Sequence, residues 1–126
     1  LISITDEELS LTLQDKTSTL DEKIKNLKLH INFDKIVVTQ GFKGNTFFDS
    51  DLEFHTPAFA VSVKDRVGAG DTFLASIAGH VFRNEIDLNA IGLIGNLAAA
   101  QVLKYDANKN ILNYDDLMKA ILHTLK

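Results

Sequence analysis

Apolar residues recur along this chain with two periods, and the change from one to the other divides it. Leu1-Ile2-Ser3-Ile4 is an apolar segment that reads as a strand in progress. Asp6 to Leu13 has an acidic start and predicts a short helix, and Ser18 to Leu29 carries Leu20, Ile24 and Leu27 at helical spacing; both read as surface helices. Lys35-Ile36-Val37-Val38-Thr39 is a β-branched run, Gln40 to Asn45 a glycine-containing turn, and Thr46-Phe47-Phe48 an aromatic run, which together predict strand, loop, strand. Leu52-Glu53-Phe54-His55 alternates, Pro57 interrupts, and Phe59 to Val63 resumes an extended pattern.

From Asp71 the period becomes helical. Phe73, Leu74, Ile77, Ala78, Val81 and Phe82 form one stripe, and Leu88 to Lys104 repeats it through Ile91, Ile94, Leu97, Ala98 and Val102. Asn113 predicts an N-cap for a last helix, with Asp115 and Asp116 favouring its positive end and Tyr114, Leu117, Ile121, Leu122 and Leu125 as its buried face. Strands interleaved with helices and then a run of helices predict an α/β domain with α/β/α layering.

Composition narrows the partners. A net charge of −4 and no basic stripe argue against nucleic acid, so any phosphate must be held locally. Cysteine is absent, which removes disulfides, thiolate metal sites and a cysteine nucleophile and fits a cytoplasmic setting. No apolar run approaches the roughly 18 residues of a membrane span, and the start lacks a signal-peptide pattern. The chain opens on Leu1, within a strand, and so reads as a piece of something larger.

Chemistry concentrates in Lys64 to Ala75, where a strand ends, Gly68 and Gly70 bracket Ala69, and a helix begins at the carboxylate of Asp71. Unpaired N–H groups at a helix start can cradle an anion if nothing bulky blocks its approach. A carboxylate beside that cradle can orient and deprotonate an attacking hydroxyl. The same residues also fit a tight turn with Asp71 complementing the helix end, and spacing alone does not choose. The dinucleotide fingerprint fails at Phe73, and no G-x-x-x-x-G-K-[ST] loop is present.

Asp65-Arg66-Val67-Gly68-Ala69-Gly70-Asp71-Thr72-Phe73 resembles the C-terminal signature of the ribokinase-like, PfkB-type carbohydrate kinases, Asp-Thr-x-Gly-Ala-Gly-Asp-x-Phe, with Arg66 in place of the usual threonine. The resemblance implies the C-terminal portion of a three-layer α/β/α ribokinase-like fold, formed by residues 1–126 as a single partial domain. It also implies an anion hole at Gly68, Ala69 and Gly70, with Asp71 as catalytic base. Asp65 and the Val67 carbonyl become candidates for a monovalent-cation site such as one for K+. Val38 to Gly44 resembles the family's Thr-x-Gly-x-x-Gly loop along the nucleotide, which assigns Thr39, Gly41, Lys43 and Gly44 to ATP; by itself it is equally a hairpin turn. Ile94 to Ala100 resembles the helix whose asparagine, here Asn96, sits near the adenine; alone, Asn96 reads as a helix-surface or packing residue. Ile4 to Leu9 resembles the Asn-x-x-Glu segment that organises Mg2+, with Thr5 replacing asparagine and Glu8 retained; alone, Glu8 is an exposed carboxylate on an acidic first turn.

The wording from Asp65 to Ala75, with Ile94-Gly95-Asn96, further resembles the heptose-phosphate kinases. The implied activity is ATP-dependent phosphoryl transfer to a hydroxyl of a sugar or sugar phosphate, with the isolated chain inactive and prone to self-association. The alternative is a non-catalytic nucleotide-binding module of the same fold. His30, His55, His80 and His123 are scattered without ligand spacing, and the pairs Asp49/Asp51 and Asp115/Asp116 read as local turn and helix-start residues.

Overall fold

The computed structural model describes residues 1–59, 67–83, 86–104 and 112–125. Among these residues the sheet has four strands in the order β1 (Ile2–Thr5), β2 (Lys35–Thr39), β3 (Asn45–Asp49) and β4 (Leu52–Thr56). β1 and β2 are parallel, with α1 (Asp6–Leu13) and α2 (Leu20–Lys28) on the crossover, and β2, β3 and β4 form antiparallel hairpins. The β2–β3 connection contains a single 3₁₀ turn, Gly41–Lys43, and Ser50-Asp51 closes the β3–β4 hairpin at the other end of the sheet.

Alternation within the strands builds two apolar faces. Ile36, Val38 and Phe48 pack with Leu9 of α1 and with Ile24 and Leu27 of α2. Val37 and Phe47 turn the other way, onto Phe73, Ile77 and Val81 of α3 (Ala69–Arg83) and Ile91 of α4 (Leu88–Val102). Helices therefore cover both faces, giving the α/β/α layering. Both α1 and α2 start with reciprocal capping boxes, Thr5 with Glu8 and Thr19 with Glu22. Lys23, a buried cation on α2, ties the pair together by donating to Ser10 Oγ at 2.9 Å and Asp6 Oδ1 at 3.3 Å.

Several expectations are corrected. The helix after the glycine turn starts at Ala69, not at Asp71, because Thr72 N already donates to Gly68 O at 2.9 Å. Leu74 and Phe82 lie outside the buried stripe: the sheet and α4 cover one seam of α3, Phe73-Ile77-Val81, and these two side chains fall beside it. Asn113 does cap α5 (Tyr114–Thr124), accepting from Asp116 N at 3.2 Å. Of the expected buried face of α5, however, only Leu117 is buried and Ile121 half-buried, while Tyr114, Leu122 and Leu125 are exposed. α5 packs at the margin of the layer, so a narrow strip of it meets α4. The extended pattern from Phe59 to Val63 lies outside the described residues apart from Phe59 itself.

α3 and α4 approach closely because Gly95 has no side chain. A Cβ there would stand 2.5 Å from Phe73 Cε2 and 2.8 Å from Ile77 Cγ2, both fixed in the core. Gly95→Ala is expected to lower the unfolding free energy by about 1–3 kcal/mol, the usual cost of overpacking, which denaturant titration would measure.

Candidate active site

Several of the predicted residues lie at or next to one end of the sheet. Strand register aligns Thr5 with Thr39, Thr39 with Asn45, and Asn45 with Thr56, so the carboxyl ends of parallel β1 and β2 lie beside the start of β3 and the end of β4. Ligand crevices in α/β sheets form outside such carboxyl ends. The start of α3 reaches the same end: Phe73, in its first turns, lies against Gly95, and the neighbouring Asn96 bonds the backbone of Thr56 and Pro57.

At that helix start Gly68 adopts φ 82°. A Cβ on Gly70 would meet nothing within 4 Å among the described residues. Helix geometry leaves the N–H groups of Ala69, Gly70 and Asp71 without intrahelical acceptors. Asp71 is exposed at the third helical position, beside those donors. This donor set fits a phosphoryl group in its chemistry: backbone N–H groups at a positive helix end, with a glycine among them. Val67, exposed through its side chain, immediately precedes the turn, whereas Asp65 lies outside the described residues.

The β2–β3 loop forms the second part. Gly41 (φ 59°), Phe42 and Lys43 are exposed, with the Phe42 ring 88% accessible at the tip, and half-buried Thr39 ends β2. Gly44, at φ 102°, is seated directly on the backbone of residues 56–58. Asn96 lies behind that segment, 8% exposed, with Nδ2 donating to Pro57 O at 2.7 Å and Thr56 O at 3.1 Å. It is therefore an interior residue and not a helix-surface one.

Glu8 forms the third part. Its Oε2 accepts from Thr5 N and from Thr5 Oγ1, both at 2.9 Å, and Glu8 N donates to Thr5 Oγ1 at 3.1 Å. These bonds, that from the Thr5 backbone first, hold the Glu8 carboxyl below the usual carboxylate range. No described residue engages Oε1, so the carboxylate fits a hard cation or a cation-bound water through that oxygen. A carboxyl whose folded pKa is depressed stabilises the fold above its unfolded pKa and loses that contribution as pH falls through its folded value. Thr5→Ala is accordingly expected to lower Tm at neutral pH, with the gap to the parent closing as acid protonates Glu8. An undiminished gap throughout acid titration would count against the capping account.

Some residues of this region escaped sequence reading. Asn45 is fully buried and donates from Nδ2 to Gly92 O at 3.2 Å. The Thr46 hydroxyl bonds Gln40 Oε1 at 3.0 Å and meets His55 Nδ1 at 3.1 Å, fixing the loop's first residue. A usable signal existed in Gly92 and Gly95, three apart in a helical pattern, which marks a face where backbone approaches closely.

Comparison with solved structures defines the class. The chain superposes on phosphofructokinase-2 from Escherichia coli in complex with potassium with a TM-score of 0.81 at 18% identity, covering 99% of this chain and 41% of that one. It matches an E. coli structure described as ribokinase II, in complex with ATP and Mg2+, with a TM-score of 0.79 at 18% identity, covering 97% and 39%. The archaeal nucleoside kinase of Methanocaldococcus jannaschii, a ribokinase-family member, gives 0.74 at 23% identity, covering 96% and 39%. The fold is ribokinase-like. Residues 1–112 match the family model of the pfkB family carbohydrate kinases, and the chain belongs to that family.

Curated relatives include the bifunctional protein HldE of Campylobacter curvus, 34% identical over 106 residues, covering 82% of this chain and 22% of that protein. Fructokinase-2 of Oryza sativa subsp. japonica is 31% identical over 88 residues, covering 67% and 24%. The chain thus spans about a quarter of the length of the first of these relatives.

Proposed function

We propose that this chain forms the nucleotide and phosphoryl-transfer side of a carbohydrate kinase, which moves the γ-phosphoryl group of ATP to a hydroxyl of a sugar or sugar phosphate. The observation that carries this reading is Asp71, exposed in the first turn of α3 three residues after Gly68 at φ 82°, on the helix whose Phe73 lies against Gly95, beside the Asn96 that bonds the end of β4. Membership of a carbohydrate-kinase family supports it.

In this reading Asp71 accepts the acceptor's hydroxyl proton and aims its oxygen at the phosphorus. The N–H groups of the first turn of α3 stabilise charge on the three equatorial oxygens while the acceptor oxygen attacks and ADP leaves in line with it. The loop from Thr39 through Gly41, Lys43 and Gly44, backed by Asn96, shapes the adenosine side. Glu8, steadied by Thr5, holds Mg2+ or its water through Oε1. A Mg2+ ion held there would supply positive charge to offset that of the phosphates. K+ near the Val67 carbonyl and Asp65 belongs to the same proposal; its support is the sequence pattern and the potassium complex of the phosphofructokinase-2 relative in structure.

The matched segment covers less than a quarter of each of these relatives, so we further propose that the acceptor-binding groups lie in additional polypeptide and that the isolated chain turns over below ~1 s⁻¹. Among the described residues β1 pairs on one side only, with β2. Its free edge supports self-association or pairing with further chain. No helix among the described residues is long and apolar enough to cross a membrane, and a cytoplasmic location is part of the proposal.

The test is a calorimetric titration of ATP with Mg2+, joined to a phosphorylation assay over a sugar panel using the full polypeptide that carries these residues. Saturable nucleotide binding with transfer to one sugar class supports the kinase. Binding without transfer to any acceptor favours a non-catalytic nucleotide-binding module, for which the commitment of Glu8 to Thr5 is the supporting observation. Absence of nucleotide binding overturns both.

A further inference from the structure

Asn96 stands where helix, strand end and loop meet. Carbonyl oxygens only accept, so the two bonds to Thr56 O and Pro57 O fix the orientation of its amide and turn its donor nitrogen onto the backbone. Thr56 O, one of those acceptors, is also the first atom that a Cβ on Gly44 would strike, so Gly44 rests on the segment Asn96 holds. Gly44 in turn closes the loop: Gln40 N donates to Gly44 O at 2.8 Å, and Gly44 N to Gly41 O at 3.1 Å. A continuous chain of contacts thus runs from Asn96 to the exposed Gly41–Lys43 turn.

A second amide works in the opposite sense. Asn45, next to Gly44 and paired with Thr56 across β3 and β4, donates to Gly92 O, one helical turn before Asn96 on α4. Sheet grips helix through Asn45, and helix grips strand end through Asn96. Gly92 permits the close fit, since a Cβ there would lie 2.5 Å from Thr56 Oγ1 and 3.0 Å from Asn45 Oδ1.

We propose that Asn96 is a positioning residue for the nucleotide loop: it sets the seat of Gly44, and so the shape of the Gly41–Lys43 turn, without donating a hydrogen bond to the base. This rests on reading that turn as the nucleotide side of the site. It follows that the contribution of Asn96 is indifferent to base identity, whereas an amide donating to a base discriminates strongly among bases.

In the full polypeptide carrying these residues, Asn96→Ala is expected to raise KM for ATP, GTP and ITP by one common factor, about fivefold for a lost hydrogen bond. Turnover number and acceptor KM should stay within about twofold, as expected when only uniform binding is lost. A change in the ATP-to-GTP preference, or an unmoved nucleotide KM, would overturn the proposal. Amide hydrogen exchange of nucleotide-free protein supplies an independent readout: Gln40 and Gly44 should exchange faster in the variant, with Val37 and Val38 unchanged. If the parent binds no nucleotide, the kinase reading fails while exchange still judges the clasp. If exchange at Gln40 and Gly44 is unmoved, the clasp fails and the kinase reading stands. Should Asn96→Ala not fold, Asn96→Ser, which keeps a donor too short to span both carbonyls, is read by the same outcomes.

Discussion

Asp71→Asn is expected to lower the turnover of the full kinase by about 10²–10⁴-fold, the range that a positioned general base contributes, while nucleotide affinity changes little. The replacement keeps shape and size at the third position of α3 and removes only the capacity to take a proton. Because Asp71 is exposed and makes no core contact, its loss should move stability by less than about 1 kcal/mol, the scale of a charge at a helix start. Turnover and melting temperature therefore separate the catalytic from the structural role. A variant that retains more than a tenth of the parental turnover would reassign Asp71 to the helix end.

Gly44→Ala should give the largest loss from a single methyl group. The position combines φ 102° and ψ −138°, a region that side chains essentially never enter, with backbone directly against the site of the new carbon. Backbone strain alone is worth about 1–3 kcal/mol, and the collision with the 56–58 segment adds to it, because strand-end backbone cannot swing aside like a side-chain tip. Nucleotide affinity should fall at least about tenfold as the turn is displaced. Gly41→Ala is the control: its φ of 59° is the left-handed region, a Cβ there meets nothing within 4 Å, and the cost should stay near about 1–2 kcal/mol. Equal losses at the two glycines would show that conformation and not the seat on residues 56–58 governs the loop.

The sequence was most informative where the determinants are local. A β-branched run gave β2 and an aromatic run β3, helical stripes gave α3 and α4, and the polar residue before Tyr114 capped α5, since each depends on neighbours a few residues apart. The glycine turn and Asp71 were legible for the same reason. Thr5-x-x-Glu8 and Thr19-x-x-Glu22 spell their capping boxes in the sequence, though Glu8 reads there as an exposed first-turn carboxylate or, through the family resemblance, an Mg2+ residue. What could not be read was long-range. Asn45 and Gly92 are 47 positions apart and Asn96 and Thr56 are 40 apart, and no local pattern announces that they touch. Periodicity also overstated the buried width of α3 and α5, because it marks which residues could face a core and not how much neighbouring structure exists to cover them.

The Ser50-Asp51 hairpin sits at the end of the sheet opposite Thr5, Thr39, Asn45 and Thr56. Its polypeptide is exposed, and Lys28 anchors it from outside by donating to Ser50 O at 2.7 Å. That distal tip is consequently the natural place to splice in an affinity handle or a fluorophore: cargo carried there would travel with the molecule while leaving the Gly41–Lys43 turn unaltered.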